Sequence, residues 1–146
     1  MKRLFIALMV SVLSLGSLHA AEAGWLTDYD KALKQAAAEK KPVVINFTGS
    51  DWCGWCIRLD KEVFSQQEFV NYAKDNVVLV KLDFPRKKPL SEAEKKKNEA
   101  LAQKFGVRGF PTIVVLDPKG KQLGELGYQK GGAAKWIESL EKVTKK

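Results

Sequence analysis

The chain contains two cysteines, Cys53 and Cys56, separated by Gly54 and Trp55. Thiols at this C-x-x-C spacing serve metal binding, iron–sulfur ligation, haem attachment, structural cross-linking or redox cycling, and the rest of the sequence sorts among these. A structural zinc or an iron–sulfur cluster takes four protein ligands, which two thiolates cannot supply. Haem attachment requires histidine directly after the second cysteine, where Ile57 stands. The single histidine, His19, lies in the N-terminal apolar segment, which leaves His-based triads, Cys–His nucleophiles and His-ligated metals without a residue elsewhere. A purely structural disulfide would enclose only Gly54 and Trp55 and would constrain the unfolded chain little. It stands as the alternative to a redox-active dithiol.

The elements around the pair favour the dithiol. Val43-Val44-Ile45-Asn46-Phe47 is short, mostly apolar and β-branched, the pattern of a buried strand. Thr48 to Asp51 reads as a loop, and Trp52 to Cys56 should open a helix. Cys53 would then sit at a helix start, where unpaired backbone N–H groups favour the thiolate that attacks a disulfide. Cys56, one turn further on, is placed to resolve the resulting mixed disulfide. Trp52 and Trp55 offer apolar surface to a partner polypeptide. Core packing is an equal expectation for Trp52, whereas Trp55 should point outward.

The remaining sequence supplies a frame for this site. Trp25 to Lys41 reads as a helix capped by Thr27 or Asp28, with Tyr29, Leu33 and Ala36–Ala37 on one face and Pro42 ending it. Ser65-x-x-Glu68 and Ser91-x-x-Glu94 both have the form of a capping box, predicting helices to about Lys74 and to near Phe105. Val77 to Asp83, Thr112 to Leu116 and Gln122 to Leu126 read as strands. The last two are joined by the turn Asp117-Pro118-Lys119-Gly120, and Ala133 to Val143 closes the chain as a helix. The order α-β-α-β-α-β-β-α predicts an α/β domain with a mixed central sheet and helices on both faces.

Two segments together, Trp52-Cys53-Gly54-Trp55-Cys56 and Gly109-Phe110-Pro111-Thr112, resemble the signatures of the thioredoxin superfamily. The stretch from Asn46 to Cys53 is similar to the periplasmic thioredoxin-like subgroup that includes DsbH-like proteins and the C-terminal domain of DsbD. The resemblance spans roughly residues 25–143. It implies a thioredoxin fold, catalytic Cys53 and Cys56, and a substrate-binding surface from Trp52, Gly54, Trp55, Gly109, Phe110 and Pro111. It also implies a cis bond before Pro111; the ligand count above and the missing dinucleotide fingerprint predict no metal and no cofactor. Two departures stand out. Thioredoxin has a buried aspartate before the dithiol, and here that place falls on Asn46 or Phe47, so Asp51 or water is expected to substitute. The segment from Phe84 to Asn98 is longer than its counterpart. A tolerated surface insertion is the plainer reading, and a partner-recognition feature is the other.

Targeting and partners follow from the ends and the charge. Met1-Lys2-Arg3, an apolar run from Leu4 to Leu18, and Ala21-Glu22-Ala23 have the form of a signal peptide over residues 1–23, cleaved after Ala23 or, as second choice, Ala20. The apolar run falls short of the roughly 20 residues a membrane span needs. Residues 24–146 are enough for one thioredoxin-like domain, expected to be soluble, monomeric and periplasmic. The net charge of +8 comes from lysines mixed with acids, as in Glu92 to Lys97, so nucleic acid is not an expected partner. Gly120, Gly124 and Gly127 do not form a dinucleotide fingerprint. Electrons should therefore arrive through the disulfide itself, and the resemblance implies a membrane thiol donor of the DsbD type. The expected function is reduction of protein disulfides, because Gly54 and Trp55 place no histidine between the cysteines as the oxidising family members do. A disulfide oxidant or isomerase, and a redox-inactive binding module, are the alternatives.

Overall fold

The structure is a computed structural model and describes residues 24–145; the expected signal segment lies outside them. Eleven short elements follow one another, with helices falling between most of the strands. They are β1 (Trp25–Leu26), α1 (Tyr29–Glu39), β2 (Val43–Thr48), α2 (Gly54–Leu59) with a π-helical turn (Asp60–Phe64), and α3 (Gln67–Asn76). β3 (Val78–Asp83), α4 (Glu92–Lys104), β4 (Thr112–Leu116), β5 (Gln122–Leu126) and α5 (Gly132–Thr144) complete the chain. The sheet runs β1-β3-β2-β4-β5. β1 and β2 lie parallel to β3, while β4 is antiparallel to both β2 and β5. The sheet is thus mixed, as the element order predicts.

Period-two alternation sends the strand residues into two cores. Val44, Leu79, Ile113 and Val115 face Leu59, Val63, Phe64, Phe69, Trp136 and Leu140 from α2, the π turn, α3 and α5. On the other face, Val43, Ile45, Phe47, Val80 and Val114 meet Ala32 and Ala36 of α1, Leu101 of α4 and Phe105, which caps α4. Helices therefore cover both sides of the sheet.

Two sequence expectations need correction. The first helix does not begin at Trp25. Trp25 and Leu26 instead pair with Leu79 and Val80, giving the sheet an extra edge strand. The helix starts at Tyr29, with the Asp28 carboxylate accepting from the Lys31 amide at 3.0 Å. The second concerns the Ser65 capping box, which does not form. Helical backbone continues from α2 through Phe64, so Ser65 closes that helix rather than starting the next. Its amide donates to the Asp60 carbonyl and its hydroxyl to the Asp60 carboxylate at 3.0 Å. α3 then starts one residue later, behind Gln66, with no side-chain cap. The Ser91 box forms in both halves: the Glu94 amide donates to Ser91 Oγ at 3.2 Å, and the Ser91 amide to Glu94 Oε2 at 3.0 Å.

Candidate active site

The site lies where β2 hands over to α2. Thr48-Gly49-Ser50-Asp51 turns the chain, and the Cys53 amide closes the turn by donating to the Gly49 carbonyl at 2.9 Å. Gly49 has no room for a side chain, since a Cβ there would come 2.5 Å from the Trp52 indole. Cys53 is the N-cap of α2 and is disulfide-bonded to Cys56, with their Cα atoms 5.2 Å apart. The Cys56 amide points at Cys53 Sγ, 3.3 Å away. In the reduced protein an N–H so directed stabilises the thiolate of Cys53 over its thiol. Gly54 is exposed with open space before it.

The two tryptophans divide as their positions suggest. Trp52 is half-buried, and its Nε1–H donates to the Phe84 carbonyl at 2.7 Å. Its ring meets Phe110 edge-on at 5.9 Å, and the Arg86 guanidinium lies 3.7 Å from its centre. Trp55 points outward, 55% exposed, with the neighbouring Ile57 at 48%. On the other chain segment, the Phe110–Pro111 bond is cis, and Thr112 Oγ1 donates to the Gly109 carbonyl at 2.7 Å. Phe110 joins the two segments, touching both Trp52 and Phe84.

Tyr128 had no signal in the sequence. It follows β5, and its ring centre lies 5.0 Å from that of Trp55. Arg58 lies across both rings, at 5.6 and 5.3 Å. Glu62 binds this group from beneath, accepting from Arg58 Nε at 2.6 Å and from the Tyr128 hydroxyl at 2.8 Å. The Arg58 contact, then the Tyr128 hydroxyl, hold the Glu62 carboxyl below its usual range, and the same carboxylate pushes the Tyr128 phenol up. The positive charge of Arg58 is thereby taken up by Glu62.

Of the two residues to which the resemblance points for the aspartate, Asn46 and not Phe47 shares a groove with Cys56. Phe47 packs in the opposite core against Phe105. Asn46 is buried with its Oδ1 unpartnered, and it lines an open groove of about 1000 Å³ together with Thr48, Ser50, Cys56, Asp60 and Asp83. Asp51 does not take the aspartate's place. Both of its oxygens receive backbone amides, from Arg86 at 2.9 Å, Lys87 at 2.8 Å and Lys88 at 3.2 Å. These amides, Arg86 foremost, hold the Asp51 carboxyl below the usual carboxylate range. A carboxylate stabilised in this way is a poor acceptor for a thiol proton.

This anchoring has a pH signature. The folded-state midpoint of Asp51 is depressed, so its contribution is complete above the unfolded value of about 3.9 and is lost as pH falls through the lower folded midpoint. The amide resonances of Arg86, Lys87 and Lys88 are expected to stay fixed from neutral pH to about pH 4, then to shift together. Movement of these amides near neutrality would show that Asp51 does not hold them.

The Thioredoxin-like domain family matches residues 29–144. The disulfide bond reductase DsbH of Chlamydia pneumoniae is 36% identical over 86% of this chain and 75% of its own length. A solved structure of a DsbH oxidoreductase superposes with a TM-score of 0.78 at 36% identity, covering 83% of each chain. The reduced DsbD C-terminal domain of Neisseria meningitidis gives 0.58 at 25% identity, over 77% of this chain and 91% of that one. With its C-x-x-C pair at the start of α2 beside the Phe110–Pro111 segment, the chain belongs to the thioredoxin-like family and is a thiol–disulfide oxidoreductase.

Proposed function

We propose that this oxidoreductase works as a reductant of protein disulfides in the cell envelope. The observation that carries the direction is the surroundings of Cys53. Its sulfur receives one backbone N–H, from Cys56, and the nearest basic side chain on α2, Arg58, is bound by Glu62. A strong oxidant needs its thiolate more heavily stabilised than this. Kinship with a protein named for disulfide bond reduction supports the same direction.

In the reduced enzyme, the Cys53 thiolate attacks one sulfur of a substrate disulfide. The substrate S–S bond breaks, its other sulfur leaves as a thiolate that takes up a proton, and a mixed disulfide remains. Cys56 then gives up its proton and attacks Cys53 Sγ, releasing the second substrate sulfur and forming the Cys53–Cys56 bond. Two electrons and two protons pass to the substrate, and a dithiol donor of the membrane must return them to the enzyme. Gly54, Trp55, Gly109, Phe110 and Pro111 form the surface that receives the substrate. Trp52, held by Phe84 and Arg86, braces that surface. The enzyme acts as a monomer after removal of residues 1–23.

Turbidity of insulin in the presence of dithiothreitol tests this reading. The protein with residues 24–146 is expected to shorten the lag markedly, and Cys53→Ser is expected to leave it at the uncatalysed value. Equal lags with and without the wild-type protein would reject disulfide reduction.

A further inference from the structure

The segment that follows β3 is fastened to the dithiol loop along its length. The Phe84 amide donates to the Thr48 carbonyl at 2.8 Å, and Asp83 accepts from both the amide and the hydroxyl of Ser50. Asn98 Nδ2 donates to the Asp83 carbonyl at 2.9 Å, Trp52 binds the Phe84 carbonyl, and Asp51 gathers the amides of Arg86, Lys87 and Lys88. A merely tolerated insertion has no reason to be tied to the residues directly before Cys53.

The anchoring exposes three consecutive cations. Arg86 is held against the Trp52 ring, and Lys87 and Lys88 extend into solvent. None of the three forms a salt bridge among the described residues; Asp51 directs both oxygens at their backbone and feels the Lys87 charge without pairing with it. Arg108, exposed and two residues before Phe110, adds a further cation on the adjoining segment. The Trp55 side differs: there the one arginine is bound by Glu62 and the surface is aromatic.

We propose that Phe84–Lys88 is a substrate-recognition element that selects disulfides flanked by acidic residues. The proposal rests on the reductase reading above and names its substrate class. Because the loop is already fixed, binding an acidic segment orders nothing new, and a charged rim of this kind acts chiefly on the rate of productive encounter. An anionic lipid surface is the less suited partner, since the run of three cations is shorter than the four to eight that membrane-binding segments carry.

The test uses two peptides with the same internal disulfide, one flanked by glutamates and one by glutamines. Each is reduced by the dithiothreitol-recycled enzyme. Wild type is expected to favour the acidic peptide by roughly fivefold in kcat/KM at low salt. That preference should vanish near 1 M salt, where the Debye length is about 3 Å. In Lys87→Gln/Lys88→Gln, which keeps Arg86 and Arg108, the ratio should fall toward one at the same low salt. A wild-type ratio of one, or a ratio unchanged in the variant, would overturn the recognition element while leaving the reductase reading in place. Reduction of neither peptide would overturn both. Binding to phosphatidylglycerol vesicles that the double variant loses, with no peptide preference in wild type, would assign the cations to a membrane instead.

Discussion

Cys56→Ser is expected to accumulate as mixed disulfides with its substrates, while Cys53→Ser accumulates none. Cys53 occupies the N-cap and takes the N–H of Cys56, which on this account makes its sulfur the one that attacks the substrate. On this assignment Cys56, inside the helix and 4% exposed against 7% for Cys53, attacks the sulfur already joined to Cys53. Resolution by Cys56 is intramolecular, and replacing it by an external thiol at millimolar concentration should slow turnover by at least about 1000-fold. Cys53→Ser should fall to the uncatalysed rate. Non-reducing electrophoresis and mass spectrometry of the trapped species distinguish the two variants. Equal trapping by both would remove the assignment of roles.

Trp136→Ala should cost about 3–5 kcal/mol of stability, the range for deleting a large buried aromatic. Trp136 is fully buried, with Phe64 and Phe69 edge-on to its ring at 5.2 and 5.7 Å. Its Nε1–H donates to the Gly127 carbonyl at 3.1 Å, which fixes the chain just before Tyr128. Small domains have only about 5–15 kcal/mol in total, so the variant should approach the limit of folding. Trp136→Phe keeps an aromatic ring in the core but loses the hydrogen bond, and should cost less. Urea unfolding of the oxidised proteins measures both. A loss below about 1 kcal/mol for alanine would mean that the core can close around the missing ring.

The elements that position the dithiol were readable in the sequence because they depend on local chemistry. The β-branched run at Val43–Phe47, the turn at Asp117–Gly120 and the capping box at Ser91 each specify their own backbone. The Ser65 box illustrates the limit of that reading. Its letters match those at Ser91, but Phe64 before it is buried in the core and keeps the preceding helix going. Only tertiary packing separates the two cases. Trp25 and Leu26 were likewise claimed by the neighbouring helical pattern until β3 offered an edge to pair with.

At the site, the cysteines, the tryptophans and the Gly109–Pro111 segment were legible as motifs. Alternation along β2 explains why Asn46 rather than Phe47 faces Cys56, a choice that the length of the following loop had obscured. What could not be read were contacts between residues distant in sequence. Tyr128 reaches Trp55 and Glu62 across the fold, and Asp51 reaches forward to Arg86, Lys87 and Lys88. The second contact converts an apparent insertion into a fixed wall of the site.

The reduction potential of the Cys53–Cys56 couple tests the reductant assignment most directly. Equilibrium with defined glutathione mixtures, read by alkylation and mass, should give a value near thioredoxin's, about −270 mV. DsbA, with its heavily stabilised thiolate, lies at about −120 mV, a difference worth roughly 7 kcal/mol for two electrons. A measured potential above about −180 mV, in the isomerase range, would contradict reduction and make disulfide formation or shuffling the function of the site.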